Sequence, residues 1–532
     1  MLSSYYSLLQ GNGDITKHAT PLSLSAVAAA VAVTSILISR LMKKTGEYKE
    51  IPVAKGSVPY FGHSRSYLYT SMFDVPAILM AQRNKDLGPI VRYNMGSQPW
   101  LIISDADMAH ELLNTHGVAT SHRAKHTYGN AFDVAQYGIT FHDPVGSRWK
   151  RIRAVLSQFI APKQLSIHDE ILHKEADYAV KRLLASSNGP PTAVFNALHQ
   201  STLNVTLMLG FNYRIEDPED PFLAKIFDLI TISIDSNEHL YDRRAFFPIT
   251  MTLVDWWKQT YKKLVRVGKE IRPMVLQELA RHGSDSDREC LFQVVDAIRD
   301  GKDIDDEAVR SLCFELVAAG TGTTAAAMTW ILVILCNQPN DQEKIQAEID
   351  AFIKTHDRIP VFDDREHLPL FMSAIKECLR LRPIAPLALA RQTSEDVVCR
   401  GYFIPKGTIL RPNVYAMNHD PKAYPNPDQF VVDRFLDEPR TMWTLSKAKA
   451  QERDHFTFGF GRRICPGINL AENEIFNVMV RLLAQASIKP VLDKDNNKRI
   501  YPDINGFINA GTVMVPAQDT MQFVKRDNPL NL

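Results

Sequence analysis

Apolar residues recur at three- and four-residue spacing along Trp149 to Gln158, Asp169 to Ala185, Leu253 to His282, Asp341 to Thr355 and Leu470 to Ala486. That spacing lines one face of a helix, so each stretch predicts an amphipathic helix. Shorter runs, IVRYNMG, PWLIIS, VVCRGYFIPKGTILRP and GFINAGTVMVPA, are bounded by turn formers and predict strands. Helix predominates, and strands do not alternate with helices as a doubly wound or barrel α/β fold requires. The expectation is a mainly α fold with a minor, peripheral β component.

Two apolar stretches stand out. Residues 21–39, PLSLSAVAAAVAVTSILIS, carry no charge, and Arg40, Lys43 and Lys44 follow. A bilayer core needs about 20 apolar residues. The length of this run, and the lack of a basic segment touching its N-terminal side, favour an uncleaved anchor over a cleaved signal peptide. The basic cluster beyond it orients the rest of the chain to the cytosol. Residues 1–20 then form a lumenal tail, and residues 40–63, with Pro52, Pro59 and Gly62, a basic, stiff connector. Residues 64–532 contain no further low-complexity stretch or obvious repeat and are expected to form one domain.

The second stretch runs from Asp306 to about Gln338. As a helix it would be roughly 50 Å long, which requires burial across a whole domain. Its middle, AAGTGTTAAA, contains Gly320 and Gly322, each costing about 1 kcal/mol relative to alanine in a helix. Small residues let a ligand or another backbone approach, and Thr321, Thr323 and Thr324 have hydroxyls that bond back to carbonyls a turn earlier. A ligand gap and close helix packing both account for the pattern.

Hydrophobic residues at 45% and charged residues at 23% are ordinary globular composition, neither disordered nor multi-span. With 61 basic against 60 acidic residues, nothing global points to nucleic acid or a polyanionic substrate. Cys290, Cys313, Cys336, Cys378, Cys399 and Cys465 include no CxxC pair, against a structural zinc site or disulfide scaffold and in keeping with a reducing compartment. The sequon Asn204-Val205-Thr206 is read as coincidence, since it would be an acceptor only in a lumenal protein.

Residues 458–467 read FGFGRRICPG and lead into a predicted helix. A thiolate at a helix N-terminus is a soft metal ligand stabilised by backbone N–H groups, and Gly461 and Gly467 let the backbone fold round the sulfur. Isolated from the other cysteines, Cys465 suits a single axial bond to haem iron, with Arg463 placed to meet a propionate.

The stretch resembles the haem-binding signature F-x-x-G-x-R-x-C-x-G of the cytochrome P-450 family, matched by Phe458, Gly461, Arg463, Cys465 and Gly467. The likeness is to the membrane-anchored microsomal type, fungal members among them, and covers nearly the whole body. KECLRLRP is similar to the E-x-x-R motif, giving Glu377 and Arg380, which share one helix face. YPNPDQFVVDRF supplies Arg434 as the third member of the family's charged triad. Such a triad is better read as specifying the fold than as adding net stability. GSRWKRIR is similar to W-x-x-x-R, which implies that Trp149 and Arg153 hydrogen-bond a propionate. Arg391 stands where the family has another propionate ligand. The connector resembles the family's hinge, with fewer prolines than usual.

The resemblance implies a P-450 fold, with haem b between the long helix and the cysteine loop. AAGTGTT aligns with [AG]-G-x-[DE]-T-[ST] through Ala319, Gly320, Thr323 and Thr324, but Gly322 replaces the acid that helps relay protons. Thr323 and Thr324 are thereby the implied catalytic residues, and Glu315, two turns earlier, is a candidate substitute for the missing acid. Apolar segments at Tyr137 to Phe141, Leu387 to Ala390, and Phe507 with Ile508, besides Ala319 and Gly320, are the implied pocket. They suit a steroid, terpenoid or fatty-acyl ligand.

The implied activity is monooxygenation at the endoplasmic reticulum membrane with O2. Electrons would come from an NADPH-cytochrome reductase, with a cytochrome b-type donor as a further partner. A basic surface near Arg462 would serve docking. The alternative is an O2-independent isomerase or dehydratase acting on an oxygenated lipid, which Gly322 makes credible. An electron carrier or gas sensor without turnover would lack an open distal side.

Overall fold

The computed structural model describes residues 48–526 apart from 65–74, 125–126, 133–137, 145, 186–191, 218, 238–242, 286, 302–303, 493–497 and 511. The anchor at residues 21–39 and Tyr137 of the implied pocket lie outside the described residues. The expected helices occur as Gly146–Phe159, Asp169–Leu184, Pro339–His356 and Ile468–Gln485. Leu253 to His282 is broken once, between Pro248–Lys258 and Thr260–Arg266, the latter continuing through a π-helical segment, Val267–Ile271, into Arg272–Ser284. Gln259 between the first two has φ +53°, a left-handed conformation that ends the first helix and starts the next. Helices Val194–Phe211, Pro221–Asn237 and Pro369–Leu381 complete the framework.

The long helix is continuous from Asp306 to Cys336, capped by Asp305, whose carboxylate accepts from Ala308 N at 2.8 Å. Among the described residues it is the one helix apolar and long enough to cross a membrane, yet 78% of its most apolar window is buried. All-round hydrophobicity therefore reflects a core position. Its two halves serve different cores. Ala308 to Val317 pack among Leu203, Leu207, Phe211 and Leu279, whereas Ala325 to Cys336 pack among Ile375, Leu379, Phe476 and Met479. The small-residue stretch forms the seam between them.

Strands are few, as expected. Ile90–Met95 pairs antiparallel with Gln98–Ile103, which runs parallel to Ile409–Pro412, and Arg391–Gln392 closes the sheet against that strand. Connector residue Ala54 donates to Arg92 O at 3.0 Å and Lys49 to Gly401 O at 2.8 Å, so the connector lies along these strands. Asn204 is fully buried and bonded to Ile215 O, in keeping with a coincidental sequon.

Candidate functional site

Cys465 leaves a short 3-10 turn, Gly461–Arg463, and precedes helix Ile468–Gln485 by a Pro-Gly step. Gly461 has φ +54°, and a Cβ there would lie 2.2 Å from Leu113 O, so only glycine fits. Cys465 N donates to Phe458 O at 3.0 Å, closing the loop. Burial pushes the thiol up, while the Gly467 amide and the Arg153 charge pull it down. A cation bonded to sulfur would outweigh burial and hold the thiolate.

Above this loop four arginines converge. Arg463 donates to Ser121 O at 2.9 Å, Ile139 O at 2.6 Å and His142 O at 2.5 Å. Arg153 donates to Ile464 O at 2.5 Å, Arg391 to Phe460 O at 2.6 Å, and Arg123 to Ala390 O at 2.7 Å. Burial depresses all four, and repulsion from neighbouring arginines adds to it at three, taking Arg463 to about 8 and Arg123 and Arg391 to about 9. Among the described residues Asp143 and Glu315 offset this at Arg123 and Arg463 and the Cys465 sulfur offsets it at Arg153, while Arg391 Nη1 is buried without a partner. Carbonyl oxygens satisfy hydrogen bonds but not charge. A cationic cluster beside a single cysteine fits a group that brings both a metal centre and carboxylates, as haem does.

On the central helix, Ala319 and Thr323 are the two exposed positions in a stretch otherwise buried or half-buried. They lie one turn apart and so open on one face. Thr323 Oγ1 donates to Ala319 O at 2.7 Å, leaving its lone pairs toward that opening. Thr324 is buried at 4% exposure and faces the core instead. Gly320 is also turned away from the opening, because a Cβ there would lie 2.7 Å from Thr206 Cγ2 on the crossing helix Val194–Phe211. Thr202 Oγ1 donates to Thr321 O at 2.9 Å, and Thr206 Oγ1 bonds Thr321 Oγ1 at 3.1 Å. Close helix packing thus accounts for Gly320 and Thr321, and the ligand gap for Ala319 and Thr323.

Glu315 is not free to relay protons. Its Oε2 accepts from Ile139 N at 2.6 Å and its Oε1 from Thr140 N at 3.3 Å, pinning residues 139–140 to the helix. Burial raises it to about 7, offset by those amides and by Arg463 and Arg272. Ile139 O in turn accepts from Trp149 Nε1 at 2.9 Å and from Arg463, so this segment ties the central helix to the cysteine loop. The Trp149 indole N–H, expected on a propionate, is committed to that carbonyl.

Glu377 and Arg380 are fully buried and bidentate, at 2.7 and 2.9 Å, with Arg434 adding a 2.9 Å bond to Glu377. Leu387 is buried beside the turn where Ala388 adopts φ +46°, Phe507 is half-buried and Ile508 is 49% exposed. Arg123 and His199 escaped sequence reasoning, since neither belongs to a motif. A second set of ligand-type side chains, Glu111, His116 and Cys399, brings donor atoms within 4.8 Å of one another, apart from the Cys465 loop. There Arg400 Nε already holds Glu111 at 2.8 Å and Cys399 Sγ touches Met108 Sδ at 3.5 Å.

Residues 53–509 match the family model described as cytochrome P450. The chain is 28% identical to cytochrome P450 monooxygenase 58 of Postia placenta, covering 88% of each chain. It is 27% identical to cytochrome P450 monooxygenase claR of Ampulloclitocybe clavipes, covering 94% of this chain and 90% of that one. The flavonoid-6-hydroxylase of Ocimum basilicum is 26% identical, over 88% of this chain and 92% of that protein. Among solved structures, a zebra fish cytochrome P450 with progesterone superposes with TM-score 0.70 at 24% identity, over 85% of this chain and 99% of that one.

Proposed function

Because the chain belongs to the cytochrome P450 family, we propose that it is a membrane-associated haem-thiolate monooxygenase. It would oxidise a lipophilic small molecule with O2 and electrons from an NADPH-dependent reductase. One observation carries this: the buried middle of the central helix opens at Ala319 and Thr323, at the seam of two cores, tied through Glu315 and residue 139 to Arg463 and the Cys465 loop. Haem, when bound, supplies O2 activation and redox chemistry, with the thiolate pushing electron density. Cys465 would hold its iron, and Arg123, Arg153, Arg391 and Arg463 its propionates. Phe458, whose carbonyl accepts from Cys465 N, would hold the loop for the group, and Gly467 would leave room round the sulfur. Thr323 Oγ1, its proton held by Ala319 O, would offer acceptor lone pairs at the opening. Ala319, Leu387 and Phe507 supply apolar lining that excludes water and cannot compensate a desolvated ion.

A steroid, terpenoid or fatty-acyl substrate fits that lining, and progesterone in a structural neighbour is a ligand of the same physical class. Membrane association has support besides the anchor. Val53, Phe61, Leu253 and Trp256 are 46%, 45%, 66% and 74% exposed, and Tyr60 joins the two segments through a 2.9 Å bond to Thr250. An exposed apolar patch of this kind suits a bilayer surface. A protein starting at Tyr48 should keep part of its liposome binding and lose most of that remainder when Leu253 and Trp256 become glutamate.

Optical titration of the ferric protein with steroids, terpenoids and fatty acids tests the main reading. A saturable spin-state shift with one class is expected, followed by NADPH- and O2-dependent product. Gly322 keeps a second reading alive, an isomerase or dehydratase of an oxygenated lipid. Product formed without O2 and NADPH would establish that reading and exclude the first.

A further inference from the structure

Where the crossing helix passes Gly322, the central helix leaves a side-chain-sized gap beside a polar group. A Cβ on Gly322 would meet a single neighbour within 4 Å, His199 Nε2 at 3.8 Å. Gly320, half a turn earlier, is filled by the Thr206 methyl, so the two glycines face different chemistry. The His199 ring lies between Phe195 and Phe227, with centroids 5.1 and 4.6 Å away and planes inclined by 24° and 15°. This stack fixes the imidazole plane with Nε2 toward Gly322. Burial alone lowers its pKa to about 4, and no charged or hydrogen-bonding group on any described element packed against it contributes. The ring is therefore neutral, with one N–H donor and one lone pair. It borders a gap one residue before the open Thr323 hydroxyl.

We propose that His199 handles protons for this site as a positioning residue, acting across the Gly322 gap and through Thr323 in place of the acid that position 322 lacks. The proposal rests on the oxygenation reading. As Nε2–H gives its proton to a water at Gly322, Nδ1 takes one from a solvent water on its other side, so the imidazole stays neutral and ends as the other tautomer, and one proton has passed from solvent to the site. O2 taking two electrons and two protons becomes hydrogen peroxide, and O2 taking four of each becomes water. NADPH supplies two electrons, so the NADPH oxidised per O2 consumed runs from one for peroxide to two for water. Better proton supply raises that ratio.

The test uses holoenzyme with a fungal NADPH-cytochrome reductase and no added substrate, after confirming haem content and the reduced carbon monoxide complex. The wild type should give a ratio above one. H199F, which keeps the aromatic stack, and G322A, which fills the gap, should each fall toward one, and adding Gly322→Asp to H199F should restore part of the loss. Apart from turnover, the His199 imidazole resonance, assigned by its absence in H199F, should gain proton affinity by roughly tenfold or more in G322D. An unchanged ratio in both H199F and G322A, or an unmoved titration in G322D, overturns the inference alone. A wild type that uses neither NADPH nor O2 overturns the oxygenation reading and this inference together.

Discussion

Two buried arginine regions of this protein are built on opposite principles. At Glu377, Arg380 and Arg434 every charge has a protein partner, and Arg380 also donates to Asn418 O at 2.7 Å, Pro427 O at 2.8 Å and Gln429 O at 3.3 Å. At Arg123, Arg153, Arg391 and Arg463 the partners are mainly carbonyls, and neighbouring charges depress Arg123, Arg391 and Arg463. Satisfied hydrogen bonds and satisfied charge are separate conditions. The first region is complete within the chain. The second keeps charge that the chain does not balance, which suits the carboxylates of the haem proposed to bind there.

The sharpest way to break this contrast is Glu377→Ala. It strands two guanidiniums and should destabilise the protein by about 3–5 kcal/mol, read as a lower urea midpoint and loss of recoverable holoenzyme. Next is the buried acid beside the second region. Glu315, raised from 4.5 to about 7, binds more protons folded than unfolded between those values. Its contribution is fully present below about pH 4.5 and is lost as pH rises through 7, a change on the order of 3 kcal/mol that Glu315→Gln should remove from urea titrations taken across that range.

Arg391→Leu should act oppositely on the two forms of the protein. The haem-free form should be unchanged or stabilised by about 1 kcal/mol, since a buried unpaired charge is gone. The holoenzyme should release haem roughly tenfold faster to apomyoglobin, for loss of one charge-assisted bond. Equal destabilisation of both forms would put Arg391 in the same class as Arg380. The smallest effect is expected for Arg434→Gln, about 1 kcal/mol, because Arg380 continues to hold Glu377 and the lost bond is peripheral.

Much of this was legible beforehand where one short segment carries its own constraint. The FGFGRRICPG loop needs glycine at 461 because a carbonyl occupies the Cβ position, and the E-x-x-R pair lies on one helix face by spacing alone. Thr324 and Trp149 were harder. Thr324 is adjacent to Thr323 yet about 100° round the helix, and which of the two meets the opening depends on how the helix is rotated against its neighbours. The Trp149 indole has one N–H, and the fold spends it on residue 139.

By itself the sequence determined the helix-rich class, the cysteine loop and the paired charges, because local spacing and backbone sterics act within a few residues. Tertiary structure alone decided which glycine of AAGTGTT packs against a methyl and which faces an imidazole, that Glu315 anchors a loop, and that Arg123 joins three arginines distant in the chain. Those outcomes depend on charge and volume summed over segments up to hundreds of residues apart, and only packing brings such segments into one field.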